Sequence, residues 1–200
     1  MRSIADSIGK LTAVLDDTSF LSSPFDDIPF YNGSTCFEDW RKENFENNYY
    51  FVVTIGNPHG NHRRKISDKL INEGLVPINL IHESAIIDET VKIGKGVQIH
   101  AGVIINAHAR IGDYCILNTR SLIEHDCELA DGVEVAPGAI LCGEVSIGEN
   151  SWIGASSVVR QHVTIGNDVI VGAGAAVVKN VNNNQIIAGI PAVPLKNKCV

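Results

Sequence analysis

The sequence predicts a mainly β fold, a three-sided parallel coil with a small α/β layer in front of it, and three observations carry that prediction. Every sixth residue from 87 to 177 is aliphatic: Ile87, Ile93, Ile99, Ile105, Ile111, Leu117, Ile123, Leu129, Val135, Leu141, Ile147, Ile153, Val159, Ile165, Val171 and Val177. Four places after these stand small or β-branched residues, among them Val91, Val97, Cys115, Ser121, Cys127 and Ala175. Residues 1–83 lack this beat and alternate apolar runs with helical composition.

In chain order, residues 11–15 read as a strand ending at Asp16 and Asp17. Residues 18–48, rich in Ser, Asp, Asn, Pro and aromatics, read as a long connection. Residues 50–55 form a second apolar run, closed by Gly56, Asn57 and Pro58. Helical composition covers 61–73, with Gly74 to stop it; Arg63, Arg64 and Lys65 could meet a diphosphate but are expected on a solvated helix face. A short strand over 76–81 leads into the repeat. Strand, loop, strand, helix, strand makes a small open α/β layer.

A period of six matches neither the 3.6-residue turn of an α-helix nor the two-residue alternation of a strand. It matches a short strand and a tight bend, repeated. The aliphatic residue points into a narrow core, and the small residue fills a crowded corner. Glycines one residue after the aliphatic (Gly94, Gly112, Gly148) or three after it (Gly96, Gly102, Gly132) are expected to permit left-handed backbone at the bend. Three such faces close a coil of eighteen residues, and coils stacked about 4.8 Å apart give a prism about 25 Å tall.

The formal net charge of -7 argues against a general affinity for nucleic acid phosphates or anionic lipid. No run approaches the roughly 18 apolar residues of a membrane span, so no membrane insertion is expected. The first six residues meet acid at Asp6 and hold no apolar h-region, so a reduced, cytoplasmic setting is expected. Cys36, Cys115, Cys127, Cys142 and Cys199 form no CxxC pair and suggest neither a zinc ribbon nor a disulfide framework.

The chemistry-bearing cluster runs from Asn118 to Cys127, with Glu124, His125 and Asp126 at its centre. A histidine beside a carboxylate is oriented and made more basic by it, which suits a general base. Stacking by eighteen places Ala107, Gly143 and Gln161 in the column of His125. Gly143 has no side chain, which is expected to leave room beside the imidazole and a backbone N–H able to polarise a carbonyl.

The uninterrupted hexads, the α/β layer before them, the acid-His-acid triplet and the run Gly189-Ile190-Pro191-Ala192 resemble one family. It is that of the sialic acid O-acetyltransferases and bacillosamine-pathway N-acetyltransferases, which are hexapeptide-repeat enzymes. The resemblance covers nearly the whole chain and is strongest from Phe51 to Ala192. It implies a left-handed β-helix behind a Rossmann-like subdomain, with residues 1–83 binding substrate and 84–200 binding acetyl-CoA and carrying catalysis. It also implies a homotrimer with the coenzyme between neighbouring prisms, a small-molecule sugar as acceptor, and no metal.

By the same resemblance His125 is the base and Asp126 its partner, and Ala155 and Ala173 contact the coenzyme beside Gly143. Asn118, Asp16, Asp17 and Gly56 match the contacts to the acceptor sugar. Glu134 replaces a histidine that usually contacts the coenzyme. Family members begin with a strand and a glycine-rich turn containing histidine. This sequence has no such turn, so the start is either shortened or remodelled at the substrate site. Open alternatives are sialic acid O-acetylation and a non-catalytic assembly protein. A zinc enzyme resembling γ-class carbonic anhydrase is disfavoured by the spacing of His100, His108, His125 and His162.

Overall fold

A computed structural model describes Ala5 and residues 8–45, 49–56 and 58–195; Asn57, Cys199 and most of the first six residues lie outside them. The chain divides into two compact units, 1–49 and 50–200. In the first, Val14–Asp16 pairs in parallel with Phe30–Asn32. A helix over Cys36–Glu43 buries Cys36, Phe37 and Trp40. The Trp40 ring lies 5.8 Å from Phe37 and 4.9 Å, edge-on, from Tyr49. The predicted connection over 18–48 therefore holds a strand and a helix. A three-residue strand is too short for alternation to show, and the Asp and Asn around it read as turn.

In the second unit, Tyr50–Phe51 pairs in parallel with Val76–Pro77, and the helix Gly60–Asn72 makes the crossover. Gly74 stops that helix at φ 85°. The next strand, Leu80–Ile81, already belongs to the coil, with Leu80 opposite Gln98 and Ile81 opposite Ile99. Residues 50–83, assigned by sequence to the N-terminal subdomain, thus share a compact unit with the prism.

Arg63 shows how they are held. It was expected in solvent, yet it is 1% exposed. Its guanidinium donates to the carbonyl oxygens of Tyr114 (2.8 Å), Ile55 (2.6 Å) and Gly132 (2.8 Å), and the Glu134 carboxylate lies 4.0 Å away. A buried cation persists only where its donors and its charge are both met. Three neighbouring cations on a helix cannot reveal which one has that surrounding.

From Leu80 the chain winds as a left-handed β-helix of two-residue strands in three sheets, parallel except for the final hairpin. Each rung stacks on the residue eighteen further on: Ile105 on Ile123, Ile123 on Leu141, Leu141 on Val159. Every hexad aliphatic from Ile99 to Val177 is buried, while Ile87 and Ile93 pack against that column at its open end. The small residues at the corners, such as Ala109, Ser121 and Cys127, are buried as well. Ile186–Gly189 returns antiparallel as Ala192–Pro194, so the predicted glycine-proline element is the hairpin that closes the coil.

The corners correct one expectation. Left-handed backbone falls on the third residue after the aliphatic whatever its side chain, including His108, Asp126, Glu144 and His162 as well as Gly96 and Gly132. Glycines one residue after the aliphatic do not adopt it. They are required by close approach instead: a Cβ on Gly94, Gly112, Gly148 or Gly166 would strike the side-chain oxygen of Asp113, Asp131, Asn167 or Asn183. Those oxygens accept the N–H groups of Lys95, Asp113, Glu149 and Asn167, a ladder that closes one corner of the prism.

The three faces differ in what covers them. One presents Lys92, Arg110, Glu128 and Thr164 to solvent. The second turns Gln98, Ile116 and Glu134 outward, yet all three are buried, and Gln98 donates to the Val53 carbonyl oxygen in the preceding segment. The third presents an aliphatic column of Ile86, Ile104, Leu122, Ile140, Val158 and Ala176, with Ile86 65% and Val158 41% exposed. No helix among the described residues is long and apolar enough to cross a membrane.

Candidate active site

His125 stands at the corner that follows the apolar face, two residues beyond the buried Ile123. Asp126 takes the left-handed corner position at φ 58°, a conformation that Asp and Asn tolerate better than most residues. His125 Nδ1 and Asp126 Oδ2 lie 2.9 Å apart. An ionised carboxylate only accepts, so in the neutral ring Nδ1 carries the proton and Nε2 keeps its lone pair. The hydrogen bond to Asp126 raises the His125 pKa above the ordinary histidine value, and the charges of Asp126, Glu124 and Glu144 add to it. Both side chains are about half exposed.

Gly143 lies one coil on, and a Cβ there would sit 2.6 Å from His125 Nε2 and 2.7 Å from Cε1. The space expected beside the imidazole is therefore filled by the imidazole itself. Glycine is needed so that the ring can lie where it does. The Gly143 N–H donates to no protein acceptor among the described residues, so a free donor stands near Nε2.

Glu124, His125, Cys142, Gly143, Glu144, Gln161 and His162 line one open depression. It holds a second pair that sequence reasoning passed over, His162 Nδ1 at 3.2 Å from Glu144 Oε2. The eighteen-residue column His108, Asp126, Glu144, His162 was the pattern that could have revealed it. Among the described residues no group of three His, Cys, Asp or Glu side chains is placed to hold a metal ion. Burial pushes the Cys127 thiol up to about 11 and the Cys115 thiol to about 12, which disfavours the thiolate form at both.

Ala155 and Ala173 stack in one column at the corner that precedes the apolar face's next strand. Like Gly143, their N–H groups donate to no protein acceptor among the described residues. Asn118, Gly56 and Glu134 come together elsewhere. Asn118 Nδ2 donates to Glu134 Oε1 at 3.1 Å, and a Cβ on Gly56 would lie 3.7 Å from Glu134 Oε2. Asp16 and Asp17 belong to the first compact unit, where Asp16 Oδ1 accepts the Thr18 N–H at 2.9 Å in a turn.

A left-handed β-helix with an accessible corner histidine is the architecture of a hexapeptide-repeat transferase, and residues 144–179 match the bacterial transferase hexapeptide (six repeats) family. Among solved structures, the chain is 32% identical to a mutant of GDP-perosamine N-acetyltransferase from Caulobacter crescentus in complex with CoA and GDP-perosamine. That match has a TM-score of 0.80 over 88% of this chain and 81% of the other. The acetyltransferase domain of PglB from Neisseria gonorrhoeae, in complex with acetyl coenzyme A, is 28% identical, with a TM-score of 0.81 over 97% and 92% of the two chains. WeeI from Acinetobacter baumannii is 25% identical, with a TM-score of 0.83 over 92% and 85%. The chain belongs to the hexapeptide-repeat sugar acetyltransferase family.

Proposed function

We propose that the protein moves an acetyl group from acetyl-CoA to an amino or hydroxyl group of a nucleotide-linked sugar, with His125 as general base, within a homotrimer. The observation that carries this reading is an imidazole anchored through Nδ1 by Asp126, with Nε2 free and a free N–H from Gly143 close by. The complexes of the relatives with CoA, acetyl coenzyme A and GDP-perosamine support the choice of both substrates. Unpaired N–H groups at Ala155 and Ala173 suit the amide carbonyls of an extended pantetheine arm.

The chemistry is direct transfer. Asp126 holds the imidazole in the tautomer that accepts at Nε2. Nε2 takes the proton of the acceptor nitrogen or oxygen as that atom attacks the thioester carbon. The Gly143 N–H stabilises the negative oxygen, and the C–S bond then breaks. The proton held on Nε2 passes to the departing sulfur, so no covalent acetyl-enzyme is needed.

The character of the three faces supports association between copies. One is polar, one is covered from within the same unit, and the aliphatic third is the surface another copy would bury. Its two bordering corners carry His125 and the column of Ala155 and Ala173, so association would set these against neighbouring copies.

The direct test is acetyl transfer to a panel of nucleotide-linked amino sugars and free sialic acid, read by thiol release. Saturable transfer to one of them is expected. If no member accepts acetyl and calorimetry finds no coenzyme binding, the chain is an assembly protein instead. The pH profile tests the base. Only the neutral imidazole accepts a proton, so kcat/KM should rise with pH through a midpoint above the ordinary histidine value of about 6.5. Asp126→Asn removes the carboxylate that raises it, so the midpoint should move to lower pH while the plateau rate falls about tenfold or more. A midpoint that stays in place would assign the titration to another group.

A further inference from the structure

Glu134 is a buried carboxylate on the covered face, 8% exposed, in the strand Glu134–Val135. Its polar neighbours include two of different kinds. The guanidinium of Arg63, itself buried against three carbonyl oxygens, lies 4.0 Å from Oε2 and opposes its charge. Asn118, only partly buried, donates Nδ2 to Oε1 at 3.1 Å. Gly56 packs close to the same carboxylate, since a Cβ there would lie 3.7 Å from Oε2 and 3.8 Å from Oε1.

A side-chain amide can present either its oxygen or its nitrogen to a ligand, and turning it end for end reverses what it recognises. Here one end is committed. A carboxylate offers acceptors alone, so only the NH₂ end of Asn118 can face Glu134. The carbonyl oxygen Oδ1 is then the end left for a ligand. Arg63 does not take the place of Asn118: three of its five N–H donors serve Tyr114, Ile55 and Gly132, and at 4.0 Å it meets Glu134 by charge rather than by a hydrogen bond.

From this geometry we infer that Glu134 is a positioning residue for the acceptor site: it fixes the polarity of Asn118, so that the acceptor must present a hydrogen-bond donor, a hydroxyl or an amine, to Asn118 Oδ1. The inference rests on the acetyl-transfer reading and on Asn118 as a substrate contact. Acceptors that bear only an acceptor atom there, such as a keto or O-methyl sugar, are disfavoured. Their oxygen would meet Oδ1 with no proton between them.

The test is a reciprocal exchange, read as acceptor KM, coenzyme KM and melting temperature for the full chain. Asn118→Asp puts two carboxylates face to face and should raise the acceptor KM about tenfold or more, with coenzyme KM unchanged. Adding Glu134→Gln to that variant restores a donor toward position 118 and leaves an acceptor oxygen for the ligand. Acceptor KM should then return to within about threefold of the parent. Failure of the second change to rescue the first, with both proteins folded, overturns the inference. So does equal damage to coenzyme KM, which would mark a structural role only.

Should the double variant not fold, Asn118→Ala decides alone. Loss of the preference for donor-bearing acceptors over their O-methyl analogues is expected, and a preference that survives overturns the inference. A parent protein that acetylates no sugar at all overturns the function itself, and this inference with it. An active parent whose exchange fails overturns only the inference.

Discussion

His125→Ala should lower turnover by about 10²–10⁴-fold, the usual contribution of a positioned general base, while coenzyme affinity by calorimetry stays near the parent value. The loss is confined to chemistry because the side chain makes no packing contribution that the fold needs. It is about half exposed, its polar bond among the described residues is to the adjacent Asp126, and the buried column beneath it is carried by Ile123 and Cys127. A melting temperature close to the parent's should accompany the loss. A variant with parental turnover would remove His125 from the mechanism. The Gly143 donor would then have to work with a different base, and Glu144 with His162 is the pair next to it.

Ile123→Asp should be the most damaging single change in the coil. Ile123 is fully buried and stacks between Ile105 and Leu141. Removing its side chain alone costs about 2–5 kcal/mol, and placing an unpaired carboxyl in an aliphatic column adds several more. Total stabilities are about 5–15 kcal/mol, so the variant should unfold or melt far below the parent in a thermal scan. The damage should spread to adjacent coils because each rung is held by its neighbours. Thr164→Asp, exposed on the polar face, is the matched control and should change stability by no more than about 0.5 kcal/mol. Similar melting temperatures for the two variants would mean that the hexad column does not carry the fold.

The repeat was legible because its period maps directly onto geometry: every eighteenth residue stacks on the last, and each stop is aliphatic because each is inside. His125 and Asp126 were legible for the same reason, as adjacent residues in a corner whose form is repeated around the coil. Residues 18–48 were not, since a three-residue strand and an eight-residue helix anchored by Cys36, Phe37 and Trp40 leave little periodicity to read. Gly143 was identified for the space it leaves, whereas the ring of His125 occupies that space.

What the amino-acid order determined alone was the coil, its register, the buried column and the histidine-carboxylate pair, because all of these depend on contacts at fixed spacings along the chain. What only the tertiary structure decided was which face each segment covers. Arg63 became a buried anchor, Glu134 a hidden carboxylate beneath Gly56, and Ile86 to Ala176 an uncovered aliphatic face. Those outcomes depend on how residues 50–83 fold back onto the prism, and side-chain packing between distant segments leaves no period in a sequence.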